Sequence, residues 1–335
     1  MKVLFVLASV ILAITSRSAG DDLLAMRAIA DDQTRWVAHS KGAEAKECFQ
    51  VVDPEGGPVV DAKVRCTFWL GGGPSGWRDV CGVTDTNGLC AIIGMSRANL
   101  EYFVAKDGYY QSHGKVDYIN TRSVPAVVDG KWQPYGETRM VVLKRILHPQ
   151  EMLGPKRTPQ RKRSIYDKWL GFDLEKGDFL PPIGNGCCSD MLVRFHLKGQ
   201  MPNDWSVAMD VSFTNHPYAG AYRLKKDVWS DMKSVYCADT NAVYATDFSF
   251  AYHHEKGIHP FSEKLGKDEY MVFRTRTKVD GEGRLISARY GKLYGPWDFE
   301  DAGGTRIYSV FLNVRDGDVN LEDIRTVEAA KKNFR

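Results

Sequence analysis

Three histidines in the second half of the chain form its densest group of potential metal ligands. His253, His254 and His259 lie within seven residues, with Glu255 between them. On a strand, His253 and His254 would point to opposite faces and could not share a metal. A loop that begins at His254 would instead let His254, Glu255 and His259 converge on zinc or copper. Exposed loop histidines are the simpler interpretation, so we predict no bound metal and no cofactor.

Seven cysteines offer a second kind of chemistry. None forms a CxxC pair, and zinc sites usually show such short ligand spacing. The odd count leaves at least one thiol free or paired between chains. We expect small buried hydrophobic side chains plus one or two disulfides, with the connectivity left open. A thiol nucleophile at Cys187 or Cys188 would need a base such as His196, but a turn at Gly184–Gly186 is the simpler interpretation of this segment.

The acidic residues and the common nucleophile motifs do not define a catalytic site. With 42 acidic residues in the chain, some pair of carboxylates at the separation that glycoside hydrolysis needs is inevitable. The sequence has no GxSxG elbow, no P-loop and no dinucleotide-binding glycine pattern. We therefore assign no catalytic residue.

Aromatic side chains are the most suggestive binding groups, since they form 11% of the chain. Flat rings on a β scaffold suit stacking against sugars or contacts with proteins. The alternative is that the rings fill the core and cover loops. The candidate ligand contacts fall into two groups, one around a glycine-rich loop and one after a predicted hairpin: Trp69 and Trp77, then Tyr290, Tyr294 and Trp297.

Residues 1–20 have the pattern of a secretory signal peptide. Lys2 precedes twelve apolar residues, Val3 to Ile14, and mostly small residues follow. Twelve residues are too short for a transmembrane helix, and no later apolar stretch is long enough to span a bilayer. Net charge is +3, and removal of Lys2 and Arg17 with the leader leaves +1. We expect a secreted, periplasmic or cell-envelope protein with no nucleic-acid partner.

The rest of the sequence predicts a mainly β protein in two parts. Residues 21–47 have the spacing of a short helical lead-in. Short alternating segments then predict a β-sandwich at 48–147, followed by a basic, proline-rich connector at 148–165 that is exposed. Residues 166–335 read as a larger antiparallel β domain without βαβ alternation, ending in a short helix.

Two local patterns are specific enough to test. Asp85–Gly88 contains the Asn-Gly signal of a tight hairpin turn, which would pair the strands on either side. In Tyr270–Val279 alternate residues predict a strand with Arg274, Arg276 and Lys278 on its polar face. Asp280–Gly283 would turn this strand into its antiparallel partner.

The first part resembles a known family. The runs VVDPEGGPVVDAKV, VTDTNGL and YFVAKDGYY, in this order, are similar to those of carboxypeptidase regulatory-like domains, also described as transthyretin-like or prealbumin-like. The resemblance covers about 48–147 and implies a small immunoglobulin-type sandwich that serves as a non-catalytic binding or scaffold module. The tyrosine-arginine-glycine-serine signature of the related hydrolases is absent.

The second part is similar to segments of uncharacterised exported bacterial proteins that carry such a module first, in FDLEKGDFLPP, ISARYGKLYG and FLNVRDGDVNLE. This resemblance implies architecture and compartment but no site residues. We expect a non-catalytic binding or structural protein that contacts a glycan or another protein. The alternative is an extracellular polysaccharide hydrolase with its site in 166–335. A homo-oligomer built by pairing of sheet edges is a third interpretation.

Overall fold

Strands far outnumber helices among the described residues, which confirms the mainly β class. The computed structural model describes residues 31, 33–120, 123, 125–154, 166–200, 204–255, 258–263, 268–294, 298–300, 304–306 and 310–333. Helix α1 covers residues 33–41, helix α2 covers Ile324–Asn333, and neither is long and apolar enough to cross a bilayer. The strands, in chain order, are β1 Ala43–Val52, β2 Lys63–Trp69, β3 Trp77–Val83, β4 Leu89–Ser96, β5 Asn99–Ala105, β6 Ser112–Asp117, β7 Val127–Val128, β8 Lys131–Trp132, β9 Thr138–Val142, β10 Leu170–Asp173, β11 Asp178–Phe179, β12 Met191–Gln200, β13 Asp204–Ser212, β14 Gly220–Lys225, β15 Asp247–Glu255, β16 Ile258–Glu263, β17 Glu269–Val279, β18 Leu285–Tyr294, β19 Asp298–Glu300, β20 Gly304–Arg306 and β21 Val310–Leu312.

Unit 1, which ends at Arg145, is a sandwich of two sheets. One sheet has the order β4-β1-β8-β7, with β9 also paired to β1, and the other has the order β3-β2-β5-β6. Along β1 every second side chain from Ala43 to Val51 is buried, and the residues between them face outward. This two-residue period is what a half-buried strand requires. Phe49 of the first sheet and Phe68 of the second belong to one buried core.

One of the inward-facing residues of β1 is a glutamate. Glu47 is buried, and its two carboxylate oxygens accept hydrogen bonds from Tyr118 Oη at 3.0 Å and from Arg139 Nε at 2.6 Å. Burial raises the pKa of Glu47 above its ordinary value of 4.5, and the neighbouring guanidinium offsets this effect only in part. The folded protein therefore holds the Glu47 proton more tightly than the unfolded chain does.

Glu47→Gln should change the pH dependence of stability. A raised pKa in the folded state contributes stability below pH 4.5, and this contribution is lost as the pH rises through the folded pKa. We expect the variant to gain stability relative to the wild type as pH rises above 4.5, since its side chain never ionises. Urea unfolding across this range measures the difference. Glu55→Gln, on an exposed turn, is the matched control, and parallel pH profiles for wild type and Glu47→Gln would contradict the prediction.

The lead-in to unit 1 is only partly helical. Residues 33–41 form helix α1, but β1 begins at Ala43, so the predicted helical boundary at 47 is wrong; residues 21–30 lie outside the described chain. Gly42 ends the helix with φ +91°, and its N–H donates to the carbonyl of Ala38 at 2.7 Å. Glycine adopts this left-handed conformation without the cost that a Cβ imposes.

The predicted hairpin at Asp85–Gly88 is a turn between sheets. Asp85 Oδ1 accepts the N–H groups of Asn87 and Leu89 at 2.8 Å, as the sequence signal suggests. However, β3 pairs with β2 and β4 pairs with β1, so the two strands join opposite sheets. Two features require glycine at position 88. A Cβ there would lie 2.4 Å from the carbonyl oxygen of Val51, and the residue has a φ of +73°, which glycine adopts without steric cost.

All seven cysteines are free thiols, so the expected disulfides are not formed. Within unit 1 the reason is orientation. Cys66 and Cys90 point into the sandwich from different sheets, whereas Cys81 is exposed and Cys48 lies among the outward-facing residues of β1. The four side chains are therefore divided between the core and the surface.

Unit 2, Ile146 onward, contains a second sandwich. A six-stranded sheet has the order β11-β10-β12-β13-β15-β16, and a four-stranded sheet has the order β14-β17-β18-β21. All these pairings are antiparallel, including the predicted β17–β18 hairpin. The core between the two sheets includes Phe172, Phe195, Met209, Phe250, Phe273 and Leu312. An apolar void of about 20 Å³ remains within it, too small for anything larger than a water molecule.

The other face of the four-stranded sheet is also covered. Met152 packs there with Tyr290 and Leu321, and Leu153 exchanges two backbone hydrogen bonds with Leu312 at 2.9 Å. Residues 148–154 of the predicted connector are therefore part of unit 2, and residues 155–165 lie outside the described chain. The predicted terminal helix is present as α2.

Candidate functional site

A row of polar side chains crosses the outer face of the six-stranded sheet. Leu170 of β10 opposes Val193 of β12, so Trp169, one residue before β10, lies beside Arg194. Arg194 opposes Asp210 of β13, and Asp210 opposes Ser249 of β15. Facing residues on antiparallel strands project from the same side of the sheet. We call the surface formed by Trp169, Arg194, Asp210, Asp247 and Ser249 the aromatic groove.

Direct contacts hold the groove side chains in place. The Trp169 ring lies over the Arg194 guanidinium, with 4.5 Å between the guanidinium carbon and the ring centroid. Arg194 also donates to Asp210 Oδ2 at 2.8 Å, while Ser249 Oγ donates to Oδ1 at 2.9 Å. The His196 ring bridges Asp210 and Asp167 through its two nitrogens, at 3.0 and 2.6 Å.

The carboxylates of the groove are kept ionised. Burial alone would raise the pKa of Asp210, but hydrogen bonds from Arg194, His196 and Ser249 outweigh it and lower the pKa. At Asp247, hydrogen bonds from the hydroxyls of Thr246 and Ser212 lower the pKa. Both groups are therefore strong acceptors at neutral pH.

The groove has the chemistry of a sugar-binding surface. It encloses about 350 Å³, and its Trp169 side chain is 44% exposed. An exposed indole offers an apolar face to a pyranose ring, and fixed carboxylates accept hydrogen bonds from hydroxyl groups. With two carboxylates to one guanidinium among its described lining residues, the groove favours a neutral ligand over an anionic one.

None of the five residues that form the groove was predicted from the sequence as a ligand contact. Trp169 follows the basic segment, and no pattern near it distinguished it from the other tryptophans. The available signal was the alternation within β12, β13 and β15, which predicts that Arg194, Asp210 and Ser249 point away from the core. Their convergence depends on strand order and register, which a single sequence leaves open.

The first pair of predicted ligand residues does come together in unit 1. Trp69 and Trp77 are directly opposite each other on β2 and β3, at the end of the ladder that the glycine loop closes. Trp77 is exposed, while Trp69 is half-buried with its ring centroid 5.8 Å from that of His39. Trp77 is therefore the main exposed ring at this position.

The second predicted group lies mainly in the core. Tyr290 is 3% exposed and packs on the covered face of the four-stranded sheet, so it cannot present its ring to a ligand. Tyr294 is half-buried between Tyr270 and Phe311, with ring centroids 5.5 and 5.7 Å away. The selection of Tyr290 was wrong because β18 is buried on both faces from Tyr290 to Leu293. Trp297 lies outside the described residues.

The histidine group lies on a hairpin and not on a loop. Strand β15 continues through His254 to Glu255, and His259 belongs to β16, which pairs with β15. The loop that would bring these side chains together does not begin at His254. Their side chains lie outside what the structure describes, so the structure does not test His254, Glu255 and His259 as candidate ligands. Among the described side chains, no group of three His, Cys, Asp or Glu could hold a metal ion.

A largely buried charge cluster lies next to the backbone of Cys187 and Cys188. Arg276 donates to Asp190 Oδ1 at 2.8 Å and to Asp173 Oδ1 at 3.0 Å. Asp173 Oδ2 accepts the backbone N–H groups of both cysteines. Burial raises the pKa of the Cys188 thiol, which keeps it protonated and a weak nucleophile. This carboxylate cluster (Asp173, Asp190 and Arg276) fixes the loop that carries the two cysteines.

A larger polar cleft of about 800 Å³ also lies in unit 2. Its lining includes His148, Glu151, Cys237, Arg315 and Asp318. Most of its lining residues have polar or charged side chains, and no exposed indole is among its described lining residues. Burial, with Glu322 and Asp318 nearby, raises the pKa of the Cys237 thiol. This cysteine is therefore a poor nucleophile at neutral pH.

Comparisons with known proteins assign no family. No family model and no curated protein matches the chain. Solved structures that match include 3-chlorocatechol 1,2-dioxygenase from Rhodococcus opacus 1CP, at 15% identity and a TM-score of 0.25 over 31% of this chain and 61% of that one. Catechol 1,2-dioxygenase from Acinetobacter radioresistens matches at 17% identity and a TM-score of 0.25 over 33% and 55%. The chain thus spans less than two thirds of these proteins, and the similarity is too low to support an argument.

Proposed function

We propose that this chain is a non-catalytic, exported binding protein whose aromatic groove holds a neutral glycan. The observation that carries the proposal is the exposed Trp169 ring, fixed on Arg194 beside two ionised carboxylates. The leader-like residues 1–20 support export to the envelope or the exterior, where glycans are abundant. The resemblance of residues 48–147 to non-catalytic carboxypeptidase regulatory-like modules points the same way.

Trp169→Ala should remove most of the glycan affinity. Truncation of an aromatic side chain at the centre of a binding site costs about 2 kcal/mol or more, which is a loss of about 30-fold in affinity. The glycan is first identified by an array that includes neutral and anionic oligosaccharides, with the full chain as probe. Isothermal titration of the best ligand then gives the dissociation constants of the wild type and the variant.

Trp229→Ala is the matched control, since Trp229 is also exposed in unit 2 but lies outside the groove. Its affinity should equal that of the wild type. Trp77→Ala tests the other aromatic surface, and a loss confined to that variant would move the site to unit 1. Failure of the array to show any neutral glycan ligand would contradict the proposal.

The polar cleft supports one alternative function. Its volume of about 800 Å³, with His148, Glu151 and Asp318 in the lining, would suit a polysaccharide hydrolase. The purified chain is incubated with the polymers that the array identifies, and the release of reducing ends is followed. Turnover that survives Trp169→Ala would favour the hydrolase over the binding protein.

A further inference from the structure

Strand β4 is an edge of the first sheet of unit 1. It pairs with β1 on one side, and no strand within the described chain pairs with the other. Its large outward-facing residues Leu89, Ile93 and Met95 are 42, 50 and 47% exposed. The strand has no charged residue and no proline, and its register with β1 is continuous. Natural edge strands usually carry a charged residue, a proline or a bulge, which protects them against pairing with another chain. None of these is present in β4.

The free hydrogen-bonding groups of β4 follow from its register. The Val51 N–H donates to the Gly88 carbonyl at 2.8 Å, which identifies this position as a hydrogen-bonded pair. These pairs alternate along an antiparallel ladder, so Cys90 and Ile92 bond to β1. The N–H and C=O groups of Ala91 and Ile93, between them, therefore point to the open edge.

We infer that β4 pairs with β4 of a second copy of this chain in an antiparallel, two-fold arrangement centred on Ile92. In this register Ala91 lies opposite Ile93 of the second copy, so the outward hydrogen-bonding groups of each meet. Leu89 then lies opposite Met95, and the exposed apolar residues of both copies cover one another. A shift of this register by one residue would place outward-facing side chains of one copy opposite inward-facing side chains of the other, which the pleat of a sheet does not allow.

The charges next to β4 are compatible with a second copy. On β1, Lys46 lies beside Ile93 and Glu44 lies beside Met95. In the paired sheet, Lys46 and Ile93 of one copy lie in line with Ala91 and Cys48 of the other. In the same way, Glu44 and Met95 of one copy lie in line with Leu89 and Gln50 of the other. No charged residue of the strands therefore opposes a like charge across the interface. A small partner residue, Ala91, also lies next to the branched Ile93.

Sedimentation velocity of the full chain over a range of concentrations tests the pairing. We expect a reversible dimer for the wild type and a monomer for Ile93→Lys, because the two new lysines would lie diagonally across the interface from each other, each beside Lys46 of its own copy. Ile286→Lys, which makes the same substitution at an exposed strand position in unit 2, should remain dimeric. Thermal unfolding shows whether each variant is folded.

Hydrogen exchange tests the register. In the dimer the amides of Ala91 and Ile93 should become protected as concentration rises, while the Ile92 amide, already bonded to β1, changes little. A wild type that is monomeric at every concentration would overturn the inference, as would an Ile93→Lys dimer. Protection of the Ala91 and Ile93 amides in a monomer would overturn it too, since a segment of the same chain would then cover the edge.

Discussion

Arg276→Met is expected to lower the free energy of unfolding by about 3–5 kcal/mol, the cost of removing one partner from a buried ion pair. Asp190 and Asp173 are almost fully buried, and both accept hydrogen bonds from this guanidinium. The hydrogen bond to Asp190 raises the pKa of Arg276 further, so the cation is always present. Without it, two carboxylates remain in a desolvated site with no cation between them.

Arg284→Met is the matched control. Arg284 also binds an aspartate, Asp280, at 2.7 Å, but on an exposed turn. Surface ion pairs contribute about 0–1 kcal/mol, so its unfolding free energy should change little. Urea unfolding followed by circular dichroism compares the two variants.

A second variant separates loss of the cation from loss of packing. Asp190→Asn combined with Arg276→Met removes one of the stranded charges and should recover part of the stability. If Arg276→Met alone lowers the free energy of unfolding by less than about 1 kcal/mol, the ion pairs of Arg276 contribute no more than a solvent-exposed pair, and the prediction is wrong.

The position of Arg276 shows what the sequence pattern can and cannot predict. Alternation predicted correctly that β17 pairs with β18. Met271 and Phe273, which alternate with the predicted polar residues, do face the core. Alternation also predicted a polar outward face that includes Arg274 and Arg276. The structure buries Arg274 and half-buries Arg276. At Arg276 the ladder shifts register between Thr275 and Lys278, and Arg276 adopts φ +48°. A bulge of this kind re-aims a side chain, and the two-residue period gives no sign of it.

Register and strand order limited the prediction of the candidate site in the same way. The turn chemistry of Asp85–Gly88 was visible in four residues, but whether the next strand continues the same sheet depends on packing between sheets. Arg194, Asp210 and Ser249 come from three strands, and Ser249 is 55 residues from Arg194 in the sequence. Local patterns identified most of the strands, whereas the groove required their order across the sheet.

Trp132→Ala should destabilise unit 1 by about 3–5 kcal/mol, as truncation of a fully buried indole leaves a cavity that the core cannot close. Trp132 stacks on Tyr118 with 5.6 Å between ring centroids, and its Nε1–H donates to the Ser96 carbonyl at 2.8 Å. Trp36→Ala removes the same side chain from a position that is 71% exposed and should change stability by less than about 0.5 kcal/mol.

Trp132→Phe distinguishes the two contributions of the indole. Phenylalanine keeps much of the apolar contact with Tyr118 but leaves the buried Ser96 carbonyl without its donor, a cost of about 1–3 kcal/mol. Hydrogen exchange then shows where the stability is lost, and faster exchange should be confined to amides of unit 1. Because Trp132 lies on β8, next to β1, its loss also weakens the strand that supports β4. Equal stability of Trp132→Ala and Trp36→Ala would contradict the placement of Trp132 in the core.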